Sequence, residues 1–211
     1  MGTVIIRNIF FIPFFLVITL VIVFSVCLAG LFPGTKSLLQ KLELFWARAT
    51  VLAAGVKLEK RPVDSGLQTN MIFIGNHQSW LDIPVLLTAL APYAPRFVAK
   101  ETLFKIPIFG TGMKRMGHLA IDRGNNRKGM RDIQQAAEKV NQGESVLIFP
   151  EGTRNSDSRR LQDFHIGAFV LALKADRPVV PVIVQGTGQV LRRGSYALRS
   201  TKVIHRPGQP L

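Results

Sequence analysis

The chain has 211 residues, enough for one domain with an ordinary core plus an attachment segment. Its formal net charge is +14, and Arg7 is the only charged side chain among the first 35 residues, so almost all of that charge sits on the body. No RNP, zinc-finger or recognition-helix pattern accompanies the basic residues, which argues against nucleic acid and for anionic surfaces or phosphorylated ligands, and the single cysteine, Cys27, excludes a disulfide framework and a Cys-based metal site.

Residues 9–32 carry no charge, and counting from beyond Pro13 gives 19 residues, roughly 29 Å of helix, which just spans a bilayer. The run is longer than the apolar core of a signal peptide, no A-x-A-like site follows it, and bulky Val26 before Cys27 argues against lipoprotein cleavage. Lys36, Lys41 and Arg48 follow the segment and only Arg7 precedes it, which places the body on the cytoplasmic side. Leu38, Leu42, Phe45, Trp46, Ala49, Leu52, Ala53 and Val56 recur at helical spacing and predict a second, amphipathic helix, packed on the core or lying in a membrane interface.

Beyond residue 57, apolar β runs at 71–75, 96–99, 118–121, 146–149, 179–184 and 201–205 alternate with helical patterns. One such pattern, Met130, Ile133, Ala137 and Val140, is stopped by Asn141 and Gly143. The expected fold is α/β, a single domain with a mixed central sheet flanked by helices and preceded by a membrane-attached helix pair. Pro181 argues for an edge or bulged position of its strand.

The run at 71–75 leads directly into Asn76-His77-Gln78-Ser79-Trp80-Leu81-Asp82. Five steps of one helix would separate His77 from Asp82 by roughly 140°, so a bend must lie between them. Ser79-x-x-Asp82 has capping-box spacing, with Ser79 as N-cap, and such a helix start aims the carboxylate back at the imidazole. An Asp that accepts from one ring nitrogen fixes the tautomer and frees the other nitrogen to take a proton from a hydroxyl. A second polar cluster, Pro150-Glu151-Gly152-Thr153-Arg154, also follows an apolar run. There Gly152 allows close backbone approach, and Thr153 offers a hydroxyl and an N–H or caps a following helix.

Together these blocks resemble the glycerolipid acyltransferase family, with its N-H-x4-D, F-P-E-G-T-R and V-P-V blocks in this order. Weaker matches are Ala99-Lys100-Glu101 with Ile106-Pro107-Ile108-Phe109-Gly110, and Ile121-Asp122-Arg123; the last block is Val180-Pro181-Val182. The resemblance covers roughly 38–211 and is greatest to the bacterial 1-acylglycerol-3-phosphate acyltransferases. It implies that His77 and Asp82 are catalytic, as base and orienter, and that Lys100, Arg123, Glu151, Gly152, Thr153 and Arg154 bind substrate. Arg154 is the first phosphate ligand, Lys100 the second and Arg123 the third, because a phosphate monoester needs more than one cation. Glu151 either orients the glycerol part or holds the loop in shape.

The implied reaction moves a fatty acyl group from acyl-CoA or acyl carrier protein to the sn-2 hydroxyl of lysophosphatidic acid, giving phosphatidic acid for phospholipid synthesis. Neither metal nor cofactor is expected. The implied division is 1–57 for membrane-anchoring helices and 58–211 for the catalytic domain, at the bacterial inner membrane and facing the cytoplasm. Rival readings are another acceptor, a lysophospholipid or lyso-ornithine lipid, and a non-catalytic membrane-tethered lipid-binding protein; a hydrolase is a third. Two departures stand out: His165 follows Phe164 where the family usually has a lysine, and relatives usually continue with a helical segment beyond the Pro-Gly-Gln-Pro turn.

Overall fold

The computed structural model describes residues 2–63, 70–155, 157, 160–195, 197–199 and 201–211, with side chains from Arg7 onward. Helices α1 (Gly2–Ala29) and α2 (Lys36–Ala53) come first, then β1 (Lys57–Lys60), β2 (Ile72–Gly75) and α3 (Asp82–Ala89). After a 3-10 turn (Ala91–Tyr93) follow β3 (Arg96–Lys100), α4 (Glu101–Phe104), α5 (Phe109–Arg115), β4 (Leu119–Ile121), α6 (Asn126–Asn141) and β5 (Val146–Ile148). The chain continues with α7 (Gly167–Ala175), β6 (Val179–Gln185), α8 (Thr187–Val190) and β7 (Lys202–Pro207).

The strands form one mixed sheet in the order β1-β7-β6-β2-β5-β3-β4. All neighbours run parallel except β6 and β7, which are antiparallel. Each of the six predicted runs coincides with a strand, and β3, β6 and β7 extend one or two residues beyond theirs. The unanticipated one is β1, whose Lys-Leu-Glu-Lys carries no apolar alternation; it is specified by its pairing along β7, with Lys57 opposite Lys202 and Lys60 opposite His205. Its charges suit a sheet edge.

Alternation along the strands sorts the core into two layers. Met71, Phe73, Leu147, Phe149, Val180, Val182 and Val184 face α3 with part of α1 and α2. Ile72, Val146, Ile148 and Val98 face α6 and α7. The connection leaving β2 therefore departs to one face, through α3, and the one leaving β5 departs to the other, through α7. Two adjacent parallel strands whose exits part in this way open a crevice at their C-terminal ends.

Pro181 is not on an edge strand, since β6 lies between β2 and β7. Its carbonyl accepts from Gly208 N at 2.7 Å, so its missing donor also faces the β7 side, one step past the last ladder pair of Val182 with Pro207. Val179 and Leu211 then exchange both backbone bonds, so the neighbouring chain carries one residue more than β6 at this point and the proline sits opposite a bulge, the other position the sequence allowed.

Helix α1 starts before Pro13 and runs through it, longer at its N-terminal end than the sequence reading from 14 onward. Residues Arg7–Ala29, 23 residues or about 35 Å, form a helix long and apolar enough to cross a membrane. Phe11, Ile22, Val23 and Val26 are buried against the body, while Phe10, Val17, Leu20 and Phe24 are more than 60% exposed. The inner stripe holds the helix together across the proline: Phe15 stacks near Phe11 and Trp46, and the Trp46 indole donates to Thr19 Oγ1 at 3.0 Å. In α2, Leu39, Ala47 and Val51 pack inward, whereas Leu38, Phe45 and Leu52 are exposed. Buried Glu43 fastens this helix to the sheet, 2.8 Å from His118 Nε2 and 3.5 Å from Arg96 Nη1.

His205, in the middle of β7, is fully buried, and neither ring nitrogen has a hydrogen-bond partner among the described residues. Burial pushes its pKa down, so the folded protein disfavours the charged ring. The unfolded chain then binds more protons than the folded one below about pH 6.5, and stability falls as the pH drops through that region. Urea melts from pH 7.5 to 5 are expected to show a steeper acid loss in the native chain than in His205→Phe. Equal slopes would assign the loss elsewhere.

Candidate active site

At the end of β2, Asn76 extends the sheet by side chain: its Nδ2 donates to Val184 O at 2.9 Å and its Oδ1 accepts from Val184 N at 2.8 Å. His77 is thereby held at the crevice. Its main chain is fixed on both sides by the loop after β5, with His77 N donating to Glu151 Oε1 at 2.9 Å and its carbonyl accepting from Asn155 N at 2.6 Å. The imidazole lies flat against Phe149, with centroids 4.2 Å apart and planes at 16°.

His77 Nδ1 is 2.7 Å from Asp82 Oδ2. The same oxygen accepts from Gln78 N at 2.6 Å and Ser79 N at 2.8 Å, and Asp82 is fully buried. A carboxylate so placed, on the first residue of α3, accepts the Nδ1 proton and leaves Nε2 as the basic nitrogen. The bend expected between the two residues is present, but the cap differs. Leu81, not Ser79, precedes the helix; the Ser79 hydroxyl accepts from Leu81 N at 3.3 Å and donates to Leu191 O at 2.9 Å. Of the expected reciprocal box only the half from Asp82 to Ser79 N exists.

Glu151 is 2% exposed; its Oε1 accepts from His77 N, and its Oε2 accepts from Asn155 Nδ2 at 3.2 Å and Gln162 N at 3.1 Å. Of the two roles left open for it, holding the loop in shape is the one these bonds serve. Gly152 has φ +66°, and a methyl group there would lie 2.6 Å from His165 Cδ2 and 3.8 Å from Arg123 Nη1. The left-handed backbone favours glycine here, and Arg123 and His165 come together beside it. Thr153 is exposed and followed by irregular chain, so it caps no helix; the next helix is α7.

Arg154 places its guanidinium over the Trp80 ring, 4.9 Å from the centroid. Among the described residues it has no carboxylate within ion-pair distance. Burial, and after it the like charge of Arg193, lowers its pKa from the ordinary value, while Asp82 acts in the opposite sense. Lys100 ends β3 and is exposed; Arg123 follows β4 and is exposed as well. Four consecutive strands, β2, β5, β3 and β4, thus carry His77, the 150–154 loop, Lys100 and Arg123 at one edge, about 14 Å across at the usual strand spacing. Arg154 is drawn to the imidazole end, and Lys100 and Arg123 lie toward the other.

Asn76, Asn155, Gln162 and Arg193 were given no role by the sequence. Asn76 stands inside the N-H-x4-D block and Asn155 directly after Arg154, so adjacency was the available signal for those two; Gln162 and Arg193 carried none. Two polar side chains flanking β4 are engaged within the fold. His118 pairs with Glu43 at the far end of β4, and Asp122 Oδ1 accepts from Gly124 N at 2.8 Å.

Comparison with known proteins gives the same direction. The acyltransferase family model matches residues 55–185. The 1-acyl-sn-glycerol-3-phosphate acyltransferase of Haemophilus influenzae is 36% identical over 135 residues, covering 63% of this chain and 55% of that protein. The chloroplastic enzyme BAT2 of Brassica napus is 38% identical over 143 residues, 66% of this chain and 41% of its own length. The chain thus spans about half the length of the curated relatives it matches, or less. The crystal structure of the 1-acyl-sn-glycerophosphate acyltransferase PlsC from Thermotoga maritima superposes with a TM-score of 0.81 at 26% identity, over 99% of this chain and 86% of that one.

Proposed function

The chain belongs to the acyltransferase family, and from that premise we propose that it transfers a fatty acyl group from acyl-CoA or acyl carrier protein to the sn-2 hydroxyl of 1-acylglycerol 3-phosphate, giving phosphatidic acid. The observation that carries this reading is the 2.7 Å His77–Asp82 pair in the crevice that also holds Arg154.

His77 Nε2 takes the proton of the acceptor hydroxyl as its oxygen attacks the thioester carbonyl. Asp82 keeps the other proton on Nδ1 and balances the imidazolium. The tetrahedral adduct collapses by breaking the carbon–sulfur bond, and the imidazolium returns its proton to the departing thiolate. An activated thioester needs no covalent enzyme intermediate. Arg154, steadied on Trp80, grips the phosphate, with Lys100 and Arg123 supplying further positive potential along the edge. Glu151 acts through His77 as a positioning residue.

Residues 1–57 attach the protein to a membrane and 58–211 do the chemistry. Helix α1 touches the body at both ends, through Asn8 to Leu198 and Arg115 to Gly30. Its outer apolar face, rather than its tips, then meets lipid, which favours embedding over crossing. The exposed Trp80, Leu161, Phe164 and Ile166, on loops bordering the site, suit an acceptor presented from a bilayer. The location is the bacterial inner membrane, with the site on the cytoplasmic face.

The deciding assay offers labelled acyl-CoA and acyl carrier protein against a panel of acceptors. Product on lysophosphatidic acid is expected; product only on a phosphate-free acceptor would replace the substrate, and binding without turnover would make the protein a lipid binder. Arg154→Gln is expected to raise the KM for the phosphate acceptor about 10- to 100-fold, the worth of one charge-assisted contact, with the donor KM unchanged. A fall in kcat alone would place Arg154 elsewhere in the reaction.

A further inference from the structure

The segment after β6 forms part of the rim of the crevice. Ser79 Oγ donates to Leu191 O, Leu191 and Leu198 pair as an isolated antiparallel bridge, and Gly188 lies against the Gln78 side chain. Arg193 stands at the tip of this loop. Its Nη1 donates to the Arg154 carbonyl at 2.7 Å, and none of its other N–H groups has an acceptor among the described residues. No carboxylate lies within ion-pair distance of either Arg154 or Arg193 in the described chain, although Glu and Asp neutralise Arg96 and Lys128 elsewhere.

The Arg193 guanidinium sits on the Arg154 main chain and its charge acts on Arg154, so the two cations share this rim with no counter-ion among the described residues, an unfavourable arrangement unless an anion completes it. The arrangement is built, since one guanidinium is braced on Trp80 and the other on the Arg154 main chain. A phosphate monoester carries about −1.5 to −2 charges near pH 7 and offers three oxygens, enough for both forks. A phosphodiester offers one charge and only two free oxygens.

We infer that Arg193 is a second ligand for the acceptor's phosphate and sets the preference for a monoester over a diester headgroup. It lies past residue 185, outside the segment matched by the family model, and no motif block marks it. The inference deepens the proposed function and rests on its phosphate acceptor.

The test uses the full chain in detergent micelles, with lysophosphatidic acid and its phosphate methyl ester as acceptors. Arg193→Gln is expected to raise the acceptor KM on the monoester about 10- to 100-fold while leaving kcat and the donor KM near native. The monoester-to-diester ratio of kcat/KM should shrink accordingly, and Arg193→Lys should recover part of it, keeping the charge without the fork. The side chain is exposed and makes one hydrogen bond, so both variants should melt near the native temperature. An unchanged monoester KM, or a loss shared equally by both acceptors together with a lowered melting temperature, would reduce Arg193 to a loop tie and overturn the inference. Native protein inactive on the monoester would instead remove the acceptor assignment, and this inference with it.

Discussion

His77→Ala is expected to lower kcat by about two to four orders of magnitude, the usual range for a positioned general base, with little change in the KM of either substrate. The ring is stacked on Phe149 and tied to Asp82, while the main chain at this position is held independently by Glu151 and Asn155. Truncation therefore removes the base without releasing the loop. It leaves Asp82 Oδ2 with two backbone donors, so the buried carboxylate is still partnered, and the melting temperature should fall by no more than a few degrees. Initial rates at saturating donor and acceptor, with a thermal melt on the same sample, check both parts. Turnover within a factor of a few of native would show that another group takes the hydroxyl proton.

The chemistry in the site was legible in the sequence because its members stand a few residues apart within two blocks, each directly after an apolar run. Spacing alone required a bend between His77 and Asp82, and it is there. The supports were illegible because they act across the sheet. Asn76 meets Val184 over 108 positions, and Glu151 meets the His77 amide over 74. Their partners become neighbours only once β6 and β5 flank β2. Ser79 shows how a local rule is displaced: both the 78 and 79 amides turn to Asp82, so the hydroxyl that should cap the helix serves Leu81 and the Leu191 carbonyl instead. Of the two positions open to Pro181 the edge is excluded across the sheet in the same way, because β7 covers β6, while the bulge is kept: between Pro207 and Leu211 the neighbouring chain is one residue longer than β6.

Asp82→Asn and Asp82→Ala are expected to separate the two duties of that carboxylate. In the serine-protease triad an Asn in place of the Asp leaves the ring in the wrong tautomer, a change that costs about 10⁴ in kcat. Here the Gln78 and Ser79 amides demand an oxygen at the Oδ2 position, so the Asn side chain should keep its carbonyl toward them and toward Nδ1. The tautomer survives, and what is lost is the charge facing the developing imidazolium. A charge-assisted bond then becomes a neutral one, a difference of about 1–2 kcal/mol and hence roughly 5- to 30-fold in kcat. Asp82→Ala removes the acceptor as well: two buried amides go unpaired at about 1–3 kcal/mol each, and the ring loses its orientation. That variant should lose about 10³-fold or more in kcat and melt well below both the native chain and Asp82→Asn. Finding Asn as damaging as Ala in rate, with native stability, would mean that the side chain flips despite the amides and that the tautomer is what the carboxylate chiefly controls.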